Sequence, residues 1–168
     1  MRKILKDKIA ISGTTGFVGK NLENFFTQNN VKYKTISRLE FRKNKLSLIS
    51  DCNCFVHLVG IGIETEKESF EEVNIELTKK IVDVCKRSKI KKIIYFSGLG
   101  VSSKSTSDYF VSKFKAEQLI IKSGLDYTIF RPSYIIGKDD YLTRNFKKQI
   151  RKKKILIPGS GKYIIQPI

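Results

Sequence analysis

The 168-residue chain has one histidine, three cysteines, three prolines and no tryptophan. A lone His57 without nearby partners makes a poor metal centre, and we read it as a structural feature of its strand; no metal is expected. Cys52, Cys54 and Cys85 form no complete disulfide framework, and a Cys-x-Cys pair without histidines is a weak metal signature. The cysteines therefore read as small hydrophobes, Cys52 and Cys54 on one face of a strand, in a reducing cytoplasm. No apolar run is long enough to span a bilayer. The start, MRKILKDKIAIS, is basic but lacks the long apolar region and small-residue cleavage site of a signal peptide. Acidic residues are also scarce: 16 Asp and Glu against 33 Lys and Arg, a formal net charge of +17. The bases are spread along the chain. Their one dense cluster, Lys147, Lys148, Arg151, Lys152, Lys153 and Lys154, reads as a solvated helix face in preference to a nucleic-acid surface. Hydrophobic residues make up 40% and charged residues 29% of the chain, as in a globular protein.

The organising stretch is Lys8–Gly19, KIAISGTTGFVG. A short apolar run, Ile9–Ile11, is followed by Gly13, Gly16 and Gly19 at three-residue spacing. From Phe17 the period becomes helical, with Val18, Leu22, Phe25 and Phe26 recurring. A buried strand, a glycine turn and an amphipathic helix are thus expected. Such a junction lets backbone approach a ligand closely and aims free N–H groups at a phosphate. Gly13, Thr14, Thr15, Gly16, Phe17, Val18 and Gly19 are the candidate phosphate-binding residues.

Further along, Tyr33–Ser37 reads as a strand followed by Arg38, and Leu46–Ile49 as a weak third strand. CNCFVHLVG is a strong fourth, whose end brings Leu58, Val59 and Gly60 toward the ligand. Phe70–Ser88 is a helix with Val73, Leu77, Ile81, Val84 and Cys85 on its apolar stripe, and Asn74 holding nearby backbone. Lys92–Phe96 is the fifth strand, broken by Ser97 and Gly98. Asp108 is a candidate cap for a helix over Tyr109–Lys122 with Phe110, Phe114 and Ile121 inward. Asp126–Phe130 is another strand, closed by Arg131-Pro132. A basic helix over Tyr141–Lys153, a Pro-Gly turn and a strand at Tyr163–Ile165 complete the chain. Strands alternating with helices predict an α/β fold, a doubly wound parallel sheet whose ligand crevice lies at the carboxyl ends of the strands.

Tyr109 and Lys113 are spaced i, i+4 and share a helix face. A lysine ammonium lowers the pKa of a nearby phenol, and a phenol so tuned trades protons with a hydroxyl or carbonyl. Tyr109 and Lys113 are therefore candidate catalytic residues, with Lys113 also able to hold ribose.

With these pieces in place the chain resembles the extended and atypical short-chain dehydrogenase/reductases, the superfamily of nucleotide-sugar epimerases and dehydratases. SGTTGFVG, FVHLVG, VNIELTKKIVDVCKRSKIKKIIYFS, YFVSKFKAE and TIFRPSYIIG carry the resemblance almost from end to end. It is similar to atypical members like the NADPH-binding accessory subunit of respiratory complex I and the regulatory nitrogen-metabolite-repression proteins, some of which bind cofactor without known turnover. The resemblance implies a Rossmann-type NAD(P)-binding fold over 1–137, and over 138–168 the beginning of a substrate-binding portion that the chain truncates. It implies hydride transfer to or from nicotinamide, and a nucleotide sugar or other carbonyl or hydroxyl compound as substrate. A homodimer is compatible with it, and a non-catalytic NADP(H)-binding regulatory or assembly subunit is the alternative. It places Pro132 and Ser133 near the nicotinamide. Arg38, where NAD-preferring sites carry an acid, tilts the expected cofactor from NAD toward NADP, with Glu40 opposing. The family's substrate-orienting Ser or Thr falls here at Leu99 or Gly100. Ser97 is the first hydroxyl after the strand and the catalytic candidate, with Ser102 or Ser103 as substitutes if the loop folds back.

Overall fold

The computed structural model describes residues 8–43, 45–157, 159–162, 164 and 166–168. These residues divide into two compact units that meet between Arg131 and Pro132. The last sheet strand ends at Phe130, and Pro132 has no N–H with which to continue a ladder.

In the first unit, five parallel strands are β1 (Ile9–Ser12), β2 (Tyr33–Ile36), β3 (Cys54–His57), β4 (Lys92–Phe96) and β5 (Asp126–Phe130). Their order across the sheet is β2-β1-β3-β4-β5. The chain moves from β1 to β2 on one side, then crosses to place β3 on the other side of β1. That reversal opens a crevice at the carboxyl ends of β1 and β3, where Ser12 stands opposite His57. The doubly wound parallel sheet is as the sequence predicts.

Period-2 alternation sends the strands' side chains to two layers. Ala10, Phe55, Ile93 and Tyr95 pack with Ile81, Cys85, Ala116 and Ile120 in the larger core. Ile11 and Val56 pack on the opposite face with Phe26 and Leu22. α1 (Phe17–Gln28) covers this second face, while α3 (Leu77–Arg87) and α4 (Asp108–Ile121) cover the first. Fully burying one such Ile contributes about 1.5–3 kcal/mol.

Three local expectations change. Leu46–Ile49 is one turn of 3₁₀ helix, not a strand, and follows the short α2 (Arg38–Arg42). Ile49 is fully buried there, so the apolar signal was real but of the wrong period. Cys52 is buried just before β3, while Cys54 opens the strand itself, so the two do not share a strand face. α4 starts at Asp108 after Ser107, with no side-chain capping bond. Its buried residues are Ser112, Lys113, Ala116, Glu117 and Ile120, whereas Ile121 is exposed. The polar side chains on that inner face find partners, described below.

The helix expected over Phe70–Ser88 begins as a π-helical turn, Glu71–Glu76, before α3. In the second unit, Asp140 caps α5 (Tyr141–Arg151) by accepting from the Thr143 N–H. α5 stops at Arg151, two residues short of expectation, because Lys153 adopts a left-handed backbone with φ +51°. The Ile136 and Ile168 backbones are hydrogen-bonded. Pro158 of the expected turn, and Tyr163 and Ile165 of the expected last strand, lie outside the described residues. Among the described residues no helix is long and apolar enough to cross a membrane.

Candidate functional site

The glycine turn assigns a different task to each glycine. Gly13 has φ +84°, and a Cβ there would lie 2.8 Å from the Leu58 carbonyl carbon and 2.9 Å from the Val59 nitrogen. The turn and the end of β3 are therefore in backbone contact. A Cβ on Gly19 would stand 2.3 Å from the Gly13 oxygen, so α1 presses against the turn. Gly16 differs: its N–H donates to the Gly13 oxygen, and a Cβ there would meet only that oxygen, at 3.3 Å. Gly16 is also the N-cap of α1 and offers no side chain to the first-turn N–H groups. A glycine less crowded than its two neighbours, beside uncapped helix N–H groups, makes a cradle that fits a pyrophosphate. Thr14 and Thr15 form the turn, and Phe17 and Val18 begin the helix.

At the end of β2, Ser37 and Glu40 form a capping box. Glu40 Oε2 accepts from the Ser37 N–H and hydroxyl, both at 2.7 Å. The backbone bond from Ser37 holds the Glu40 carboxyl below its usual range. Arg38 pairs with Glu68, thirty residues on. That acid was not foreseen from the sequence, because the pairing spans the whole of β3 and its following loop.

The end of β3 is fixed from behind. Asn74 Oδ1 accepts from the Ile61 N–H at 2.9 Å, and its Nδ2 donates to the Ile61 oxygen at 3.1 Å. Asn74 thus holds the loop after Leu58, Val59 and Gly60, as its position suggested. His57 is fully buried, with Ser12 Oγ 3.1 Å from Nδ1 and Thr78 Oγ1 2.9 Å from Nε2. Burial pulls its pKa down to about 3, with the Lys113 charge adding to the effect. It is a neutral strand residue, as read from the sequence.

Tyr109 lies in the first turn of α4, half-buried, with its ring 6.0 Å from Phe70 and 5.2 Å from Phe110. Its hydroxyl is 3.8 Å from where a Gly98 Cβ would be. Lys113 Nζ donates to the Phe96 carbonyl at 2.7 Å and sits 4.2 Å from the Tyr95 ring centroid. A Cβ on Gly60 would be 3.5 Å from the same Nζ. The pair therefore does gather at the carboxyl ends of β3 and β4. The expected tuning does not follow: burial raises the Tyr109 phenol, opposite to the direction a nearby ammonium would give. Burial lowers Lys113 to about 7, against the pull of Glu117. An ammonium spent on a carbonyl is a weaker tuner of the phenol.

Ser97 ends β4. Its N–H donates to the Phe130 oxygen at 2.7 Å, and its hydroxyl is buried with no partner among the described residues. Leu99 is 60% exposed. Ser102 Oγ accepts from the Lys104 N–H in a local turn. Pro132 and Ser133 belong to the second unit.

Sequence reasoning missed Glu117, which is fully buried in α4 and accepts two bonds from Arg131, at 2.9 and 2.5 Å. It also missed Ser12, Thr78 and Ser112. Among the described residues no three His, Cys, Asp or Glu side chains are grouped to hold a metal ion.

The sequence profile of the NAD(P)H-binding family matches residues 47–155. The chain belongs to this family. It is 24% identical over 182 residues to "NADH dehydrogenase [ubiquinone] 1 alpha subcomplex subunit 9, mitochondrial" of Dictyostelium discoideum, over 94% of this chain and 51% of that protein. To the Arabidopsis thaliana protein of the same name it is 29% identical over 124 residues, over 73% of this chain and 31% of the relative. The chain thus spans about a third to a half of the length of these relatives. The fold is similar to that of MoeE5 in complex with UDP-glucose and NAD, with TM-score 0.78 and 16% identity over 95% of this chain and 67% of that one. UDP-glucuronic acid 4-epimerase from Bacillus cereus, in complex with UDP-glucuronic acid and NAD, gives 0.74 and 20% over 95% and 68%. The solved structures share the Rossmann-type fold, and NAD(P)H binding is what the matching family describes.

Proposed function

We propose that this domain serves chiefly to hold a nicotinamide dinucleotide, as an accessory or regulatory subunit does, and that turnover is secondary. The carrying observation is the glycine turn, with Gly16 as the N-cap of α1 and no side chain capping the first-turn N–H groups. Gly13, Gly16 and Gly19 shape the pyrophosphate cradle, Leu58, Val59 and Gly60 border it, and Lys113 is the ribose ligand. Leu99, which is exposed, or Gly100 falls where the resemblance puts the substrate-orienting hydroxyl of active members, and neither carries one. The names of the complex I relatives agree with this reading.

The second reading is an oxidoreductase or nucleotide-sugar epimerase/dehydratase. Tyr109 and Lys113 at one site favour it, as do structural neighbours that carry UDP-sugars. The dinucleotide supplies hydride exchange when bound. Tyr109 then moves the proton of the substrate hydroxyl or carbonyl, and Ser97 is the remaining hydroxyl to orient it.

Calorimetric titration with NADH and NADPH tests the first reading, and nicotinamide absorbance with added carbonyls or UDP-sugars tests the second. Binding without turnover is expected. Steady oxidation or reduction that Tyr109→Phe abolishes would establish the second reading, and failure to bind either cofactor would remove both. Preference for NADP(H) requires Arg38 to leave Glu68 for a 2′-phosphate. Glu68→Gln should therefore tighten NADPH and leave NADH unchanged, and an equal effect on both would remove Arg38 as the discriminator.

A further inference from the structure

Five buried residues are linked by hydrogen bonds that run through the Asn74 backbone carbonyl on one side and its side-chain amide on the other, and the proton count fixes their direction. Thr78 Oγ1 donates its one hydrogen to the Asn74 backbone carbonyl, four residues back, at 2.7 Å. Toward His57, at 2.9 Å, it is therefore the acceptor, and His57 carries its proton on Nε2. Nδ1 is then a bare lone pair, and Ser12 Oγ donates to it at 3.1 Å. Beyond Asn74 the direction is equally fixed. Ser112 Oγ donates to the Tyr109 carbonyl at 2.7 Å, so it accepts from Asn74 Nδ2 at 2.9 Å. Asn74 also clamps both backbone groups of Ile61.

The placement of the members matters as much as their bonds. Ser12 directly precedes the glycine turn, and His57 ends β3 just before Leu58. Ile61 follows Gly60, and Ser112 lies in the first turns of α4, between Tyr109 and Lys113. The chain of bonds therefore joins the turn, the loop after β3 and the helix carrying Tyr109. Its centre is the π-helical turn Glu71–Glu76, which gives way to α3 where Thr78 bonds back to Asn74. Such turns widen a helix and recur at functional sites, and a Thr hydroxyl bonded four residues back bends one.

We propose that Ser12, His57, Thr78, Asn74 and Ser112 form a positioning device that couples the glycine turn to the Tyr109 helix through the Gly60–Ile61 loop. Dinucleotide binding that orders the turn then also orders the loop and the start of α4. The inference rests on the cofactor-holding reading above.

Thr78→Val keeps the side-chain shape and removes the hydroxyl, stranding both the His57 Nε2–H and its link to Asn74. Thr78→Ser restores the hydroxyl. NADH affinity should fall about ten-fold in the Val variant, the worth of one buried hydrogen bond, and stay within about two-fold of wild type in the Ser variant. Hydrogen exchange gives the readout that plain destabilisation would not mimic. In wild type, NADH should increase protection at the Ile61 amide and at Val111 in the first turn of α4 together; in the Val variant Val111 should no longer respond. Ser12→Ala breaks the chain at its other end and carries the same comparison if the Val variant does not fold. Wild-type affinity and a retained Val111 response in these variants would overturn the coupling alone. A wild-type protein that binds neither NADH nor NADPH would overturn the cofactor reading and the coupling with it.

Discussion

Lys113 should make the cofactor-free protein more stable as pH rises from 7 to 8.5. Its side chain is 4% exposed, and burial lowers its pKa to about 7, well under the ordinary 10.5. Above pH 7 the unfolded chain keeps this proton while the folded chain releases it. The unfolded state then binds more protons, so stability increases with pH, and below pH 7 the buried charge imposes its full penalty. Integrating one such group from pH 7 to 8.5 gives roughly 1.5 kcal/mol. For a chain of this size that is about 3–6 °C in Tm. The upper limit of the window matters, because burial raises the Cys85 thiol to about 12. Above the ordinary thiol range near 9 the unfolded chain loses that proton first, and stability falls again. The bond to Phe96 and the contact with Tyr95 set the absolute stability of Lys113→Met, but neither imposes this pH slope. Urea unfolding of wild type and Lys113→Met at both pH values is the assay. The wild type should gain about 1.5 kcal/mol relative to the variant, and parallel pH dependences would refute a desolvated Lys113.

Gly19→Ala should cost about 2–3 kcal/mol, because its Cβ would overlap the Gly13 oxygen. Gly16→Ala should stay within about 1 kcal/mol of wild type yet weaken NADH; thermal melts paired with calorimetry separate the two, and equal melts would contradict the assignment. Arg131→Ala leaves the fully buried Glu117 carboxylate unpaired. A loss of about 3 kcal/mol is expected, largely recovered when Glu117→Leu is added, and a harmless single variant would show that the pair is structurally idle. His57 is the only histidine, so its ring signals can be followed without overlap. They should not titrate between pH 8 and 5. Its pKa is depressed to about 3, so its stabilising neutral form is favoured above the ordinary 6.5 and lost only as pH falls through about 3. A midpoint near 6.5 would show the ring to be solvated.

What the sequence disclosed was the part governed by short-range periodicity. Ile9–Ile11 and Lys92–Phe96 are read correctly because a strand buried on both faces leaves a run of apolar residues with turn signals at its end. The glycine turn is legible for the same reason: its three glycines and the change of period are local. Leu46–Ile49 misled because a short apolar group that buries Ile49 suits a 3₁₀ turn as well as a strand.

α4 misled for a deeper reason. Its inward face carries Ser112, Lys113 and Glu117, and a pattern of hydropathy assigns such residues to water. Each is held inside by a partner supplied by tertiary structure: Asn74 for Ser112, the Phe96 carbonyl for Lys113, and Arg131 for Glu117. Those partners lie between 14 and 38 residues away. Thus the resemblance could place Tyr109 and Lys113 in a site, but the spacing between them could not reveal where the ammonium donates. The charge of Lys113 belongs to a buried network that includes the Tyr95 ring and the Glu117 carboxylate, and the raised phenol of Tyr109 follows from the same burial. The raised phenol and the lowered ammonium are thus properties of the assembled sheet end that no i, i+4 pair contains.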